Sequence, residues 1–251
     1  MKDLRSTLYP EVNFGGFSDI DFSVIFFNRV RSLLLPEHTV LDYGCGRGVL
    51  QSDPCSYRRD IQILQGSVHK VIGADVDEEA KSNPYIDEFH LLETEKIPLP
   101  SRSVDLCICR SVIEHMENPT NFFAEMSRVI KPGGYICLVT PNKYSYFGIA
   151  SRMIPDRFHA WLLKKIMKSF REDHDVFPTF YNCNSIWKMR KDLSSNDFSN
   201  NLVYGYDGEP QYFSFSRILY QLGVLHQKAA PRSMKTIIFA FAKRDDSRIN
   251  D

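Results

Sequence analysis

Val40-Leu41-Asp42-Tyr43-Gly44-Cys45-Gly46-Arg47-Gly48 reads as the end of a short buried strand running into a turn with glycine at every second position. Glycine lacks Cβ, so such a turn can take left-handed dihedrals and let a ligand approach the backbone closely. The pattern predicts a helix behind the turn, through Leu50 toward Leu64. The free amides and partial positive charge at its start would favour a nearby anion by about 0.3–1 kcal/mol. A nucleotide-dehydrogenase fingerprint would put its third glycine at position 49, which is Val49. The spacing therefore favours an adenosyl ligand other than a dinucleotide.

Outward from this turn, apolar runs alternate with helical patterns. Lys70–Asp75, Phe89–Glu93, Val104–Cys109 and Gly134–Thr140 read as further strands. Continuous apolar runs of this length suggest strands covered on both faces of a parallel sheet. Phe122, Phe123, Met126, Val129 and Ile130 recur at three- and four-residue steps, predicting a helix over 119–130. Pro119 suits its first turn, and Lys131-Pro132-Gly133-Gly134 is expected to end it. Later, 183–193 and 214–228 have helical spacing, while 200–206 and Thr236–Ala242 read as strands.

Acids stand where successive strands end. Asp75 lies 27 residues past Gly48, and a carboxylate there can accept both hydroxyls of a ribose. Asp77 is a neighbouring candidate whose position better suits a helix start. Glu93 could accept from an adenine amino group. Taken singly, the glycines could be an ordinary strand–helix turn and the acids helix caps. Ordered together, they converge on the crevice where open α/β sheets bind ligands.

The blocks VLDYGCGRG (40–48), VIGADVD (71–77), IPLPSRSVDLCICRSVIEHMENP (97–119) and RVIKPGGYICLVTPN (128–142) resemble class I S-adenosylmethionine-dependent methyltransferases over roughly residues 38–142. The resemblance implies a Rossmann-like, doubly wound α/β sheet, mostly parallel with an antiparallel last strand. It implies S-adenosylmethionine as cofactor and methyl transfer as the activity. Asp42 matches the acid that holds the methionine amino group, and Gly44, Cys45, Gly46 and Gly48 fall in the cofactor loop. Asp75, with Val76, matches the ribose site, and Glu93 with Thr94 the adenine site. Cys109, Arg110 and Ser111 fall where the fourth strand passes the methionine moiety. Tyr43 departs mildly from the aliphatic residue usual at its position. The last hundred residues match only in general plan, so they name no acceptor.

Methyl transfer is an in-line displacement in which the cofactor carries the reactive carbon and the protein aligns the acceptor. A hydroxyl acceptor also needs a proton removed. His115 follows the fourth strand, borders the crevice, and belongs to the residue type that titrates near neutrality. It is the candidate catalytic base. The alternative is that Glu114 and His115 only orient the loop. His159, His174 and Tyr181 are further candidate bases.

One methyltransferase domain is expected over 1–251, with an N-terminal lid over 1–37 and a helical, aromatic-rich cap over 143–180 that would wall a partly apolar small-molecule or lipid-linked acceptor. Gly15-Gly16 would be the hinge of that lid. Within the cap, RFHAWLLKKIMKSFR (157–171) pairs an apolar face with Lys164, Lys165, Lys168 and Arg171. It could lie on a membrane surface or pack as an ordinary lid. A binding module that has kept the pocket without catalysis, and a nicotinamide-dependent oxidoreductase, are the alternative functions.

Composition narrows the rest. The 251 residues carry 31 Lys+Arg against 31 Asp+Glu, so no global field draws the chain to nucleic acid, and none is expected as a partner. The 43% hydrophobic content is that of a folded domain. Six cysteines without a Cys-x-x-Cys pair predict neither a disulfide scaffold nor a metal site. Cys107 and Cys109 are expected to be buried as small hydrophobes. No signal-peptide core or membrane-length apolar run is present in the sequence, which makes cytoplasm the expected compartment.

Overall fold

Five apolar runs become the parallel part of one sheet. A computed structural model describes residues 2–94, 96–146, 148 and 178–246. Its strands are β1 (Thr39–Tyr43), β2 (Lys70–Asp75), β3 (Glu88–Leu91), β4 (Val104–Arg110), β5 (Ile130–Pro141), β6 (Asn200–Tyr206) and β7 (Ile237–Lys243). They lie in the order β3-β2-β1-β4-β5-β7-β6. All neighbours are parallel except β7, which runs antiparallel to both β5 and β6. The expected antiparallel last strand is therefore present.

Alternation along the strands builds two cores. On one face Val40, Val71, Leu106, Ile108, Cys137 and Val139 pack with Phe26, Phe27 and Val30 of helix α2 (Phe22–Arg31). Asp21 caps that helix, its carboxylate accepting from Ser23 N and Val24 N at 3.0 and 3.1 Å. On the other face Leu41, Cys107, Cys109, Ile136 and Leu138 meet Phe122, Phe123, Met126 and Val129 of α4 (Pro119–Val129). Each fully buried side chain of this kind contributes about 1.5–3 kcal/mol. The cysteine pair is thus core, as expected, and desolvation raises both thiols well above the ordinary range.

Helix α1 (Lys2–Leu8) packs away from the sheet, with Leu4, Leu8, Tyr9 and Val12 meeting Tyr220 and Val224 of α6 (Arg217–Ala229). Helix α5 (Ile186–Ser194) leads into β6, and Met189 and Leu193 enter the core.

Two predicted elements differ. The helix expected from the glycine turn toward Leu64 is replaced by turns over 44–55 and a single five-residue helix, α3 (Ser56–Asp60). Asp53-Pro54 explains this. Proline has no N–H to donate and restricts the residue before it, and the Asp53 carboxylate accepts from Cys55 N at 2.9 Å while holding Arg58 at 2.5 and 2.6 Å. That local bonding competes with a helical ladder. The helix-dipole argument for anion binding at this turn therefore falls. Second, Lys131–Gly134 does not separate helix from strand: α4 stops at Val129 and β5 starts at Ile130. The extra residues are absorbed by a register shift between the Val104–Ile130 and Leu106–Tyr135 pairs, with Gly133 at φ 79°.

Of the expected cap over 143–180, only 143–146, 148 and 178–180 fall among the described residues. The 157–171 stretch, His159 and His174 lie outside them. Among the described residues no helix is long and apolar enough to cross a membrane.

Candidate functional site

The strand order reverses between β1 and β4, with β2 and β3 on one side and β5 on the other. At such a switch point the loops leaving the strands diverge and open a crevice beyond their carboxyl ends. The glycine turn occupies it. Gly44, Gly46 and Gly48 all take left-handed dihedrals, φ 76°, 54° and 69°. A Cβ on Gly44 would lie 2.1 Å from Val112 Cγ2, and one on Gly48 would lie 2.3 Å from Asn83 Oδ1, whereas Gly46 faces open space. Two glycines are thus required by packing, and the middle one leaves room for a ligand.

Side chains from β2 and its following turn fasten this loop. Asp75 Oδ2 accepts from Gly46 N at 2.8 Å and Oδ1 from Asp77 N at 3.0 Å. Asn83 Nδ2 donates to the carbonyls of Cys45 and Gly46, both at 3.0 Å. Asp77 accepts from Glu79 N at 3.0 Å at the start of a short 3₁₀ turn and pairs with Arg47 at 2.9 Å, so it serves the turn, as its position suggested. Asn83 carries a loop-fastening role that spacing alone does not reveal. The Asn83-Pro84 dipeptide, a turn signal, is the feature that marks it.

Beneath the loop lies a cavity of about 150 Å³ whose lining includes Asp42, Gly44, Gly48, Gln62, Asn83 and Arg110. Asp42 stands opposite Ile108, so Arg110, two residues further along β4, shares its face of the sheet. Burial pushes the Asp42 carboxyl up to about 6; Arg110 opposes the shift and Asp75 adds to it. Burial likewise lowers the Arg110 guanidinium, against the pull of Asp42. Among the described residues no ion pair joins the two. Arg110 Nη1 instead donates to Gln62 Oε1 at 2.6 Å, and its cation lies 5.5 Å over the Phe27 ring. A carboxylate and a guanidinium face one cavity, each with capacity to spare.

The remaining candidates are spread around this centre. Cys45 is half-buried, its thiol raised to about 12 chiefly by desolvation, so it is no nucleophile. Val76 is exposed beside Asp75, and Glu93 and Thr94 are exposed beyond the end of β3. Cys109 pairs with Tyr43 and packs on the sheet face opposite Asp42, so only its backbone can approach the crevice. Ser111 takes φ 56° as the chain leaves β4, with its N–H donated to Val139 O at 2.8 Å.

His115 ends a 3₁₀ turn after β4, its Nδ1 lying 2.8 Å from Pro178 O. Since a carbonyl only accepts, Nδ1 carries the proton in this contact. Beside it Glu114 is buried, and its carboxylate accepts from Thr140 Oγ1 at 2.9 Å. Asn184 Nδ2 donates to the same hydroxyl at 2.5 Å. The carbonyl of Glu114 accepts from Phe180 N at 2.8 Å and Tyr181 N at 3.3 Å. The turn bearing His115 is therefore held from the ends of β4 and β5 and by the 178–184 segment.

Comparison with known proteins bears on the family and the fold. The family described as "Methyltransferase domain" matches residues 25–182. A protein of Mycolicibacterium smegmatis named "probable S-adenosylmethionine-dependent methyltransferase" is 34% identical over 112 residues, 43% of this chain and 39% of that one. A ubiquinone biosynthesis O-methyltransferase of Dechloromonas aromatica is 29% identical over 125 residues, 45% and 48% of the two chains. The alignments thus span less than half the length of each relative. Among solved structures, geranyl diphosphate C-methyltransferase of Streptomyces coelicolor, bound to S-adenosyl-L-homocysteine, superposes with a TM-score of 0.54 at 13% identity, covering 88% of this chain and 74% of that one. A chain from the complex of the Haloferax volcanii Trm112 methyltransferase activator with a methyltransferase gives 0.58 at 15%, covering 97% and 96%. At these identities the superpositions establish a shared fold.

Proposed function

The chain belongs to the methyltransferase-domain family, and from that premise we propose that it binds S-adenosylmethionine in the β1–β4 crevice and transfers its methyl group to an oxygen of a small-molecule or lipid-linked acceptor. The observation that carries this reading is the pair Asp42 and Arg110, which face one cavity without an ion pair between them. An amino-acid end group presents one ammonium and one carboxylate, and these two side chains match it charge for charge. The cavity of about 150 Å³ between them is where that end would sit. The ribose and adenine would lie over the open shelf of Asp75, Val76, Glu93 and Thr94, and Gly46 is the loop residue with room for a ligand.

When bound, the cofactor supplies an electrophilic methyl carbon on a sulfonium. Asp42 holds the ammonium and Arg110 the carboxylate, with Gln62 fixing the guanidinium. Asp75 has spent one lone pair of each oxygen on backbone N–H groups, leaving the others for hydroxyls. His115, with Nδ1–H directed to Pro178 O, offers Nε2 as the base for an acceptor hydroxyl. An acceptor oxygen is supported by that histidine and by the likeness to the ubiquinone biosynthesis O-methyltransferase.

Titration calorimetry with S-adenosylmethionine and S-adenosylhomocysteine tests the site; absence of heat from both rejects it. Incubation of enzyme, cell extract and deuterated-methyl cofactor, followed by mass spectrometry, tests transfer by the gain of one labelled methyl. Binding without such a product in any extract fraction would leave a cofactor-binding module.

A further inference from the structure

The connection between β6 and β7 carries an exposed apolar surface. Tyr206 ends β6 opposite Ile237, which in turn stands opposite Pro141 at the carboxyl end of β5. Residues 207–236 therefore begin and end at the crevice end of the sheet. Helix α6 lies within this excursion. It buries Tyr220, Gly223 and Val224 against Tyr9, Val12 and Phe213. Its position is tied to the end of β5 by Tyr146, which stacks on Phe213 at 5.5 Å and meets His226 edge-on at 4.7 Å.

The opposite side of α6 is apolar and open. Ile218, Leu222 and Leu225 recur at four- and three-residue steps and are 71%, 55% and 61% exposed, with Phe215 and Met234 exposed at either end. Leu222, Leu225, Ala229, Pro231 and Met234 line a shallow groove of about 370 Å³. At 100° per residue, Arg217 and Lys228 fall together on one margin of this stripe, and Arg232 follows just beyond it; all three are exposed. In a chain of zero net charge, no Asp or Glu occurs anywhere between 210 and 244. The two acids of the excursion, Asp207 and Glu209, have buried side chains, so the exposed face is an apolar helical stripe edged by cations, complementary to acyl chains beneath anionic headgroups.

We propose that α6 and the turn after it dock the protein onto an anionic lipid bilayer. The excursion that carries α6 starts and ends at the crevice end of the sheet, so docking is expected to favour an acceptor held in the lipid phase. That consequence rests on the methyl-transfer reading, whereas the docking does not.

The test is co-sedimentation of the full chain with phosphatidylcholine vesicles, with and without phosphatidylglycerol, at low and high salt. Binding is expected only with phosphatidylglycerol and to weaken with salt. Leu222→Glu with Leu225→Glu should abolish it. Each of Arg217→Gln, Lys228→Gln and Arg232→Gln should weaken it about five-fold. All variants should bind S-adenosylhomocysteine like the unaltered protein. No affinity for the anionic vesicles, or affinity that the variants leave unchanged, overturns the proposal. So does an ultracentrifugal dimer dissociated by the leucine variant without vesicle binding, which assigns the face to a second copy. A large fall in melting temperature of a monomeric leucine variant, without vesicle binding in the parent, means the chain covers this face itself. Vesicle binding without cofactor binding would uphold the docking and reject the methyl-transfer reading.

Discussion

The Asp75 carboxylate accepts the backbone N–H of Gly46 at 2.8 Å, which makes the acid at the end of β2 and the centre of the glycine loop one unit. Removing the carboxylate therefore acts twice, by deleting ribose contacts and by freeing the loop. A hydrogen bond to a charged group contributes about 1.5–3 kcal/mol, equivalent to roughly 10- to 150-fold in affinity. Asp75→Ala should weaken S-adenosylhomocysteine binding by at least the lower figure. Asp75→Asn, which keeps one acceptor oxygen for Gly46, should lose less. Equal calorimetric constants for both variants and the unaltered protein would remove Asp75 from the site.

The same pair marks what the sequence made legible. Lys70–Asp75 can be read as a strand because its β-branched residues stop at an acid, and glycine at every second position can be read as a turn because few other residues tolerate φ near +70°. The parallel core was legible for the same reason: strands buried on both faces are continuous apolar runs. What followed the turn was not. Leu50, Ile61 and Leu64 satisfy helical spacing, yet Asp53-Pro54 and the grip of Asp53 on Arg58 divert the chain into turns. Nor does periodicity show that Gln62 reaches Arg110 across 48 residues, or that Asn83 fastens a loop 38 residues earlier. Such polar contacts depend on where loops return, which no local pattern encodes.

Asp42 gives the site a pH dependence of definite sign. Its carboxyl is raised from 3.8 to about 6, so between these values the folded chain holds a proton that the unfolded chain releases. Stability from this group falls as pH rises through that window and is fully lost above about 6. Asp42→Asn should match the unaltered protein near pH 4 and exceed it by about 1–3 kcal/mol at pH 7, read by denaturant unfolding at a series of pH values. Cofactor affinity should behave oppositely, rising above pH 6 in the unaltered protein and staying flat and weaker in the variant. A stability gap independent of pH would contradict the assignment.

Gly46 and Gly48 share a dihedral region but differ in surroundings, so alanine should separate binding from folding. At Gly48 the new Cβ would displace Asn83, whose amide holds two loop carbonyls. Losing those bonds together with the left-handed strain should cost about 2–4 kcal/mol. At Gly46 nothing lies within 4 Å of the new Cβ, so only the strain of about 1–2 kcal/mol applies. The methyl would still stand in the space assigned to the cofactor. Thermal unfolding should thus single out Gly48→Ala, while Gly46→Ala should stay folded and bind S-adenosylhomocysteine poorly. Gly46→Ala with full affinity would move the ligand off this loop.

His115 is held at Nδ1 by the carbonyl of Pro178 at 2.8 Å, which selects the tautomer whose Nε2 can take a proton. General-base catalysis of this kind is worth about 10²–10⁴-fold. His115→Ala and His115→Gln should both lower kcat by that order while leaving the calorimetric constant for S-adenosylmethionine unchanged, since neither variant touches Asp42, Asp75 or Arg110. Glutamine distinguishes the two possible roles. It can still donate to Pro178 O but cannot act as a base near neutral pH, so a positioning role would be rescued by His115→Gln and a proton-accepting role would not. Recovery of turnover in that variant, or equal losses of turnover and cofactor affinity in His115→Ala, would reassign the residue to holding the loop.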